Sequence, residues 1–239
     1  TGGAVATAGE MATRLGLPQA PSDAEAIAIA RDIALARISG AHVHFRQVTT
    51  ARGFDLVRAA KNEGLAITCG VTPAHLLLSE NALGGFRTFA RLSPPLRSES
   101  DRLAALAALT DGTIDVIASG HDPRGPEDKR LPFAESEPGM AGAETLLALS
   151  LGLVRDGVIT MEKMFDLVAG TPAKLLSVEA GELRTGYEAD IVLIEPEKPW
   201  QVDSSRMAAS AGNTPFDKLP VQGRAVALFK GGRLVDQHG

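Results

Sequence analysis

Three short strand-like segments decide the fold: HVHFRQVT at 42–49, LAITCGV at 65–71 and TIDVIAS at 113–119. Two segments of helical composition, at 52–63 and 99–109, separate them. The third segment is apolar on both faces, which is typical of a strand covered on both sides. A strand–helix–strand–helix–strand order predicts right-handed parallel crossovers. The sequence therefore predicts an α/β layer or barrel. Three strands predict the later part of a barrel, since a (β/α)₈ barrel has eight.

Helices are also predicted before and after these three segments in the chain. Residues 23–38 lack Gly and Pro, and Gly40 stops the pattern. Further helices are predicted at 142–155, at 161–168 and from Thr171 to about Leu176.

Short strands separated by Gly and Pro follow Gly181, and Gly231–Gly232 is placed as a hairpin turn. We therefore predict two domains, with residues 1–178 as the α/β barrel portion and 179–239 as a small terminal β module.

Composition excludes several classes of protein. The 239 residues are 44% hydrophobic, which supports a packed core, and a net charge of −5 without a basic cluster predicts no nucleic-acid or membrane partner. A single cysteine, Cys69, excludes an internal disulfide and a cysteine-rich zinc site. No apolar run approaches the ~20 residues that span a bilayer. We expect a soluble cytoplasmic protein, and its start at Thr1 suggests that upstream residues are missing.

Two histidines, His42 and His44, share one face of the first strand, as a metal-binding pair often does. The alternative is that both face the helices or solvent. The other row, Val43, Phe45 and Gln47, makes the better interior, because an interior row ending in an arginine would bury an unpaired charge. A metal role for the pair is therefore not favoured.

Polar residues after the other two strands are candidates for a site. His75 follows the second strand, and His121 and Asp122 follow the third. Two histidines and a carboxylate could bind a metal ion, but turn formation and backbone capping are the favoured roles because the spacing is not diagnostic.

Two further features could contact an anion. The glycines of PGMAGAET (138–145) precede a helix, although tight packing is their more common role. Arg97 could bind a carboxylate or form a surface ion pair with Glu99 or Asp101. Cys69, inside a strand, is read as a core residue.

Several motifs resemble one family in order and spacing. They are TRLGLPQAPSDAEAIAIARDIALARISGAHVH, VTPAHLLLSE, SPPLRSESDR, DVIASGHDP, PFAESEPGMAGAETLLALSL, AGELRTGYEADIVLIEP and GNTPFDKLPVQGRAVALFKGGRLV. The chain resembles the later half of a dihydroorotase of the amidohydrolase superfamily. The resemblance implies the later part of a metal-dependent-hydrolase (β/α)₈ TIM-type barrel with a small terminal β-sandwich. It also implies one or two zinc ions, whose bound water opens the cyclic amide of dihydroorotate while a strand-end aspartate moves the proton.

Five positions depart from the family pattern. Gln47 stands where the family has a histidine ligand in H-V-S-T, and Gly120 stands at the aspartate of T-D-H-A-P-H. Ser93 replaces the asparagine before Pro-Pro-Leu-Arg, Arg124 replaces the second histidine of the aspartate motif, and Ala74 replaces the first histidine of V-T-P-H-H-L.

These departures predict a dihydroorotase-like protein of pyrimidine biosynthesis that has lost catalysis and binds no cofactor. The resemblance then implies a structural subunit of aspartate carbamoyltransferase, within a homo- or hetero-oligomer. The expected site has no catalytic or metal residue, only these substrate-side positions: Ser93, Arg97, Arg124, Pro138 and Gly139.

The alternative is an active zinc-dependent cyclic amide hydrolase of dihydroorotase or hydantoinase type. In that case His75, His121 and Asp122 form a rearranged metal site. A third possibility is a fragment whose folding depends on a missing half.

Overall fold

The computed structural model describes residues 3–209 and 211–237. The chain divides into two compact units, each built from two segments. The first unit comprises Thr1–Glu144 and Asp203–Asp217, and the second comprises Thr145–Val202 and Lys218–Gly239. The domain boundary expected between residues 178 and 179 stays a prediction.

The first unit contains two parallel sheets. Strands β1 (Ala6–Thr7) and β2 (Gln19–Ala20) form a pair, and β3 (Val43–Phe45), β4 (Ile67–Val71) and β5 (Val116–Ile117) form a sheet in the order β3-β4-β5. The helices are α1 (Glu10–Leu15), α2 (Asp23–Ser39), α3 (Ala51–Asn62), α4 (Pro73–Leu77), α5 (Glu99–Thr110) and α6 (Pro126–Arg130). The α/β class is therefore confirmed for this unit, whereas a closed barrel stays a prediction.

Helix ends in this unit follow local sequence signals. Helix α2 ends where Gly40 adopts a left-handed conformation at φ 67°. Helix α3 begins after Thr50, whose hydroxyl accepts the Gly53 N–H at 3.1 Å. The helix predicted at 23–38 is thus confirmed within one residue.

The three strands β3, β4 and β5 pair over fewer residues than the segments predicted at 42–49, 65–71 and 113–119. Single hydrogen bonds continue beyond the ends, from Val48 N–H to the Gly70 carbonyl and from Ala118 N–H to the Val71 carbonyl, both at 2.9 Å. The carboxyl ends of the three parallel strands therefore lie at one edge of the sheet, and the segments that follow them converge there.

The second unit combines helices with an antiparallel sheet. Its helices are α7 (Leu146–Arg155), α8 (Met161–Phe165) and α9 (Thr171–Leu176), with a π-helical turn at Asp166–Gly170. Strands β6 (Ile191–Gln201), β7 (Pro220–Lys230) and β8 (Arg233–Gln237) pair in that order. The hairpin predicted at Gly231–Gly232 is confirmed, with φ values of 54° and 76°. The β-sandwich stays a prediction.

Across residues 3–209 and 211–237, no helix is both long enough and apolar enough to cross a membrane.

Candidate functional site

A cleft of about 410 Å³ lies at the carboxyl ends of β3, β4 and β5. Its volume is in the range that small-molecule sites occupy. The residues that line it come from the segments after these strands and from two loops: Arg46, Gln47, Thr72, His75, Leu92, Ser93, Ala118, Ser119, Gly120, His121, Asp122, Gly139 and Met140. The structure therefore brings Gln47, Gly120 and the three proposed ligands His75, His121 and Asp122 to one place, together with Ser93 and Gly139.

His75 is enclosed by a complete set of hydrogen bonds. Its Nε2 lies 3.1 Å from the Pro94 carbonyl, which can only accept, so Nε2 carries the proton. Its Nδ1 then accepts, with the Thr72 hydroxyl at 2.8 Å and the Gln47 amide nitrogen at 3.0 Å. Gln47, which replaces the family's histidine ligand, is a hydrogen-bond donor to His75 here.

The same surroundings keep the His75 imidazole neutral. The side chain is buried, and this burial lowers its pKa to about 4, because the hydrogen bond to Pro94 compensates only part of the loss of water. Nearby positive charge from Arg97 acts in the same direction. Both ring nitrogens are occupied, so His75 has no lone pair available for a metal ion or a substrate.

Gly120 adopts a backbone conformation that disfavours a side chain. Its φ is +62°, and a Cβ added there would lie 2.9 Å from Thr72 Cγ2 and 3.1 Å from Met140 Cε. Real Cβ atoms essentially never approach another atom below 3.0 Å. The position of the family's aspartate is therefore filled by the neighbouring Thr72 and Met140 side chains.

His121 and Asp122 form the accessible side of the cleft. The His121 Nδ1 accepts the Ala143 N–H at 3.2 Å, which places the proton on Nε2 in the neutral ring. Asp122 donates its backbone N–H to the Met140 carbonyl at 2.7 Å, and its Oδ2 accepts from Arg124 Nη2 at 2.7 Å. The Asp122 side chain is 57% exposed. These two side chains are open to a ligand, in contrast to His75.

The loop at Pro138–Gly139 is fixed by hydrogen bonds from several segments. Arg124 Nε donates to the Pro138 carbonyl at 2.8 Å, and Asn213 Nδ2 donates to the Gly139 carbonyl at 3.1 Å. The Gly139 N–H donates to the Arg91 carbonyl at 2.9 Å. Arg124 and Pro138 thus support the cleft wall at Gly139, although they do not line the cleft themselves.

Arg97 lies outside the cleft and is 7% exposed. Its Nη2 pairs with Glu25 at 3.1 Å, and its Nε donates to the Thr49 hydroxyl at 2.9 Å. Glu25 also accepts the backbone N–H groups of Thr49 and Thr50, each at 2.9 Å. Arg97 therefore pairs internally and does not form the expected surface pair with an acidic residue of α5. The cluster holds the segment after β3 in place.

His44 of β3 and His42, which directly precedes the strand, do not line the cleft. His42 and His44 are exposed and both reach the Thr68 hydroxyl, at 3.4 and 2.9 Å, while Val43 and Phe45 are half-buried. This alternation agrees with the favoured interior row. Burial raises the pKa of the Cys69 thiol to about 12, which fits a core residue and excludes a thiolate nucleophile.

Zinc, which the resemblance implies, does not fit the donor set that the structure describes. Within residues 3–209 and 211–237, no group of three or more His, Cys, Asp and Glu side chains is placed to hold a metal ion. In the cleft, His75 is fully hydrogen-bonded, and the Gln47 amide is neutral and a poor zinc ligand. His75, His121 and Asp122 share the cleft without forming a metal-binding group.

Sequence reasoning missed three residues that shape the cleft: Thr72, Glu25 and Lys129. Thr72 fills the space beside Gly120, and Glu25 anchors the strand end through Arg97. Lys129 lies on the short, highly charged helix α6 after β5, yet it is 5% exposed. No local pattern identifies these roles, because each depends on groups distant in sequence.

The model of the amidohydrolase family matches residues 6–235. The chain belongs to the amidohydrolase family. Dihydroorotase from Syntrophus aciditrophicus is 39% identical over 235 residues, covering 98% of this chain and 55% of that protein. The L-hydantoinase (dihydropyrimidinase) structure from Arthrobacter aurescens superposes with a TM-score of 0.89 at 27% identity, covering 96% of this chain and 52% of that one. The chain thus spans about half the length of the relatives it matches.

The prediction of an inactive structural subunit is wrong by this comparison, because the curated relatives that match nearly the whole chain are named dihydroorotase. The inactive dihydroorotase-like domain of the Chaetomium thermophilum CAD-like multifunctional protein also superposes, with a TM-score of 0.66, covering 86% of this chain and 54% of that one. At 22% identity it shows the fold alone. The alternative, an active cyclic amide hydrolase, agrees better with the relatives.

Proposed function

We propose that this chain forms the cleft of a cyclic amide hydrolase of the dihydroorotase type, which opens or closes a six-membered ring. The observation that carries the proposal is the placement of the cleft. It lies where the carboxyl ends of three parallel strands meet, in a chain that matches dihydroorotases along 98% of its length. Active sites of parallel α/β folds form at this edge.

Ring opening adds water across the amide bond. Hydroxide bonds to the carbonyl carbon, the carbon–nitrogen bond breaks, and the nitrogen takes a proton. The neutral His121 ring can donate a hydrogen bond from Nε2 to the carbonyl oxygen as negative charge develops there, since its Nδ1 accepts the Ala143 N–H. The carboxylate of Asp122 can take a proton from the attacking water and deliver it to the leaving nitrogen, while Arg124 holds its Oδ2. Closing the ring runs the same transfer in reverse, with the proton passing from the nitrogen through Asp122 to the departing water.

The fixed polar groups of the cleft can orient the ring. A cyclic amide presents one N–H and one carbonyl side by side, and Ser93 and Ser119 lie among the lining residues. The loop at Gly139 is held by three separate segments, so its backbone does not have to be ordered when substrate binds. No step is assigned to zinc, because the described donors do not fit it.

The test is turnover of dihydroorotate by the purified full-length protein, measured in both directions. We expect ring opening by the wild type and a loss of about 100-fold in kcat/KM for His121→Asn, the size of effect typical of losing one hydrogen-bond donor to the developing oxyanion. His42→Asn is the matched control, because His42 is exposed and lies outside the cleft. Absence of turnover in the wild type, or equal activity of His121→Asn, would overturn the proposal.

Association with aspartate carbamoyltransferase remains a separate proposal, supported only by the family resemblance. Co-elution of the two purified proteins on size exclusion would support it, and separate elution at micromolar concentrations would contradict it.

A further inference from the structure

Lys129 is a buried lysine whose three ammonium protons are all in use. It lies on α6 and is 5% exposed. Its Nζ donates to the carbonyls of Glu137 at 2.7 Å, Thr88 at 3.1 Å and Arg91 at 3.3 Å. The Thr88 hydroxyl donates in return to the Lys129 carbonyl at 2.6 Å. The bonds in both directions hold α6 against these segments.

The three carbonyls belong to two segments that lead directly into the cleft. Arg91 precedes Leu92 and Ser93, which line the cleft, and Glu137 precedes the Pro138–Gly139 loop. The Arg91 carbonyl also accepts the Gly139 N–H at 2.9 Å. One ammonium group is therefore hydrogen-bonded to both the segment that precedes Ser93 and the segment that precedes Gly139. These two segments lead into two walls of the cleft.

We infer that Lys129 is a positioning residue for the cyclic amide, holding the wall at Ser93 and the wall at Gly139 in the spacing that binds the ring. The kinetic part of this inference rests on the proposed function, whereas its structural part does not. Lys129 does not line the cleft, so it acts through the loops and not by touching substrate.

The charge of Lys129 responds to pH through its surroundings. Burial lowers its pKa to about 8, the positive charges of Arg91 and Arg124 act in the same direction, and the negative charges of Asp122 and Asp128 oppose them. A neutral amine has two N–H groups for three carbonyls. The connection between the two walls therefore weakens as the pH rises through about 8.

The first experiment compares Lys129→Met with Arg130→Met in the full-length protein. Arg130 is the adjacent residue on α6, and its side chain is 72% exposed in a surface pair with Glu127. For Lys129→Met we expect a rise of about 10-fold in KM for dihydroorotate with kcat within about 2-fold, which is the signature of lost binding. Lys129→Arg, which keeps the charge, should restore KM to within about 3-fold, and Arg130→Met should match the wild type.

The second experiment follows amide hydrogen exchange without substrate, in the segments 88–93 and 137–140. Corrected for the intrinsic rate, exchange should be about 10-fold faster in Lys129→Met than in Arg130→Met. In the wild type it should rise between pH 7 and pH 9, and Lys129→Arg should remove this rise. Equal exchange rates in Lys129→Met and Arg130→Met would overturn the inference. So would an exchange rate that rises equally in all segments of the protein and not mainly in 88–93 and 137–140.

The two readouts separate two kinds of failure. If no variant turns over dihydroorotate, the proposed function fails, and the exchange data still decide the role of Lys129. If Lys129→Met does not fold, the pH dependence of exchange in the wild type against Lys129→Arg decides it.

Discussion

His75 and His121 occupy comparable places in the chain and have opposite surroundings. Each follows a parallel strand, and each lines the same cleft. His75 is 4% exposed and has partners at both ring nitrogens, whereas His121 is exposed and has a partner only at Nδ1 among the described hydrogen bonds. One ring is part of the framework of the cleft, and the other is available to a ligand.

The difference teaches that a strand-end position does not by itself make a histidine functional. Availability depends on whether neighbouring carbonyls, hydroxyls and amides have already used its nitrogens. Gly120 connects the two regions, because it stands directly before His121 and packs on Thr72, the hydrogen-bond partner of His75.

Removal of the His75 ring should produce the largest effect. His75→Ala leaves the Gln47 amide, the Thr72 hydroxyl and the Pro94 carbonyl without this partner and opens a cavity, so we expect a loss of about 4 kcal/mol in the free energy of unfolding. Urea denaturation measures it. His42→Ala, at an exposed site, should change stability by less than about 0.5 kcal/mol. A loss below about 1 kcal/mol for His75→Ala would show that the hydrogen bonds and packing of this ring contribute little to the free energy of unfolding.

Acid should destabilise the protein through the same residue. The pKa of His75 is lowered from 6.5 to about 4 in the folded state, so between these values the unfolded state binds a proton that the folded state does not. Stability therefore falls as pH drops through this window, by up to about 3 kcal/mol. The measurement is the stability of the wild type minus that of His75→Gln from pH 7 to pH 4. A constant difference would contradict the buried neutral ring.

Gly120→Asp should destabilise the protein by about 2 kcal/mol, because the new Cβ meets Thr72 and the backbone has a positive φ. The control is Gly112→Asp, where φ is +84° and a Cβ meets nothing within 4 Å. We expect Gly112→Asp to lower the free energy of unfolding by about 1 kcal/mol, because of the positive φ alone. Equal losses in thermal or urea denaturation would show that the contact with Thr72 is not restrictive.

Arg124→Met should have the smallest effect, on the open side of the cleft. Arg124 is 35% exposed and pairs with Asp122, so we expect a stability loss of about 1 kcal/mol. We also expect a rise of about 3-fold in KM for dihydroorotate, because Asp122 and the Pro138 carbonyl each lose a partner. Arg58→Met is the control: Arg58 is also 35% exposed in ion pairs, and it lies outside the cleft. An equal rise in KM for both variants would exclude a specific role of Arg124.

The sequence predicted those parts of the fold that local patterns encode. Helix α2 and the turn at Gly231–Gly232 agree because end signals and glycine conformations are local. Strand lengths did not agree: β5 pairs only over Val116–Ile117 of the predicted 113–119, since pairing depends on how far the neighbouring strand stays alongside.

The site was predictable in position and not in detail. His75, His121 and Asp122 were identified because they follow strands. The internal partner of Arg97 lies 72 residues away at Glu25, and the burial of Lys129 depends on carbonyls up to 41 residues away, so neither has a local signal.

The most direct test is mapping of histidine carbethoxylation by mass spectrometry, with and without dihydroorotate. We expect rapid modification of His121, protection of His121 by dihydroorotate, and no modification of His75 in the folded protein. His42 and His44 should react at the same rate with and without ligand. Modification of His75 as fast as His121 would contradict the enclosed His75 ring, and a His121 rate that dihydroorotate does not change would contradict a ligand-facing His121.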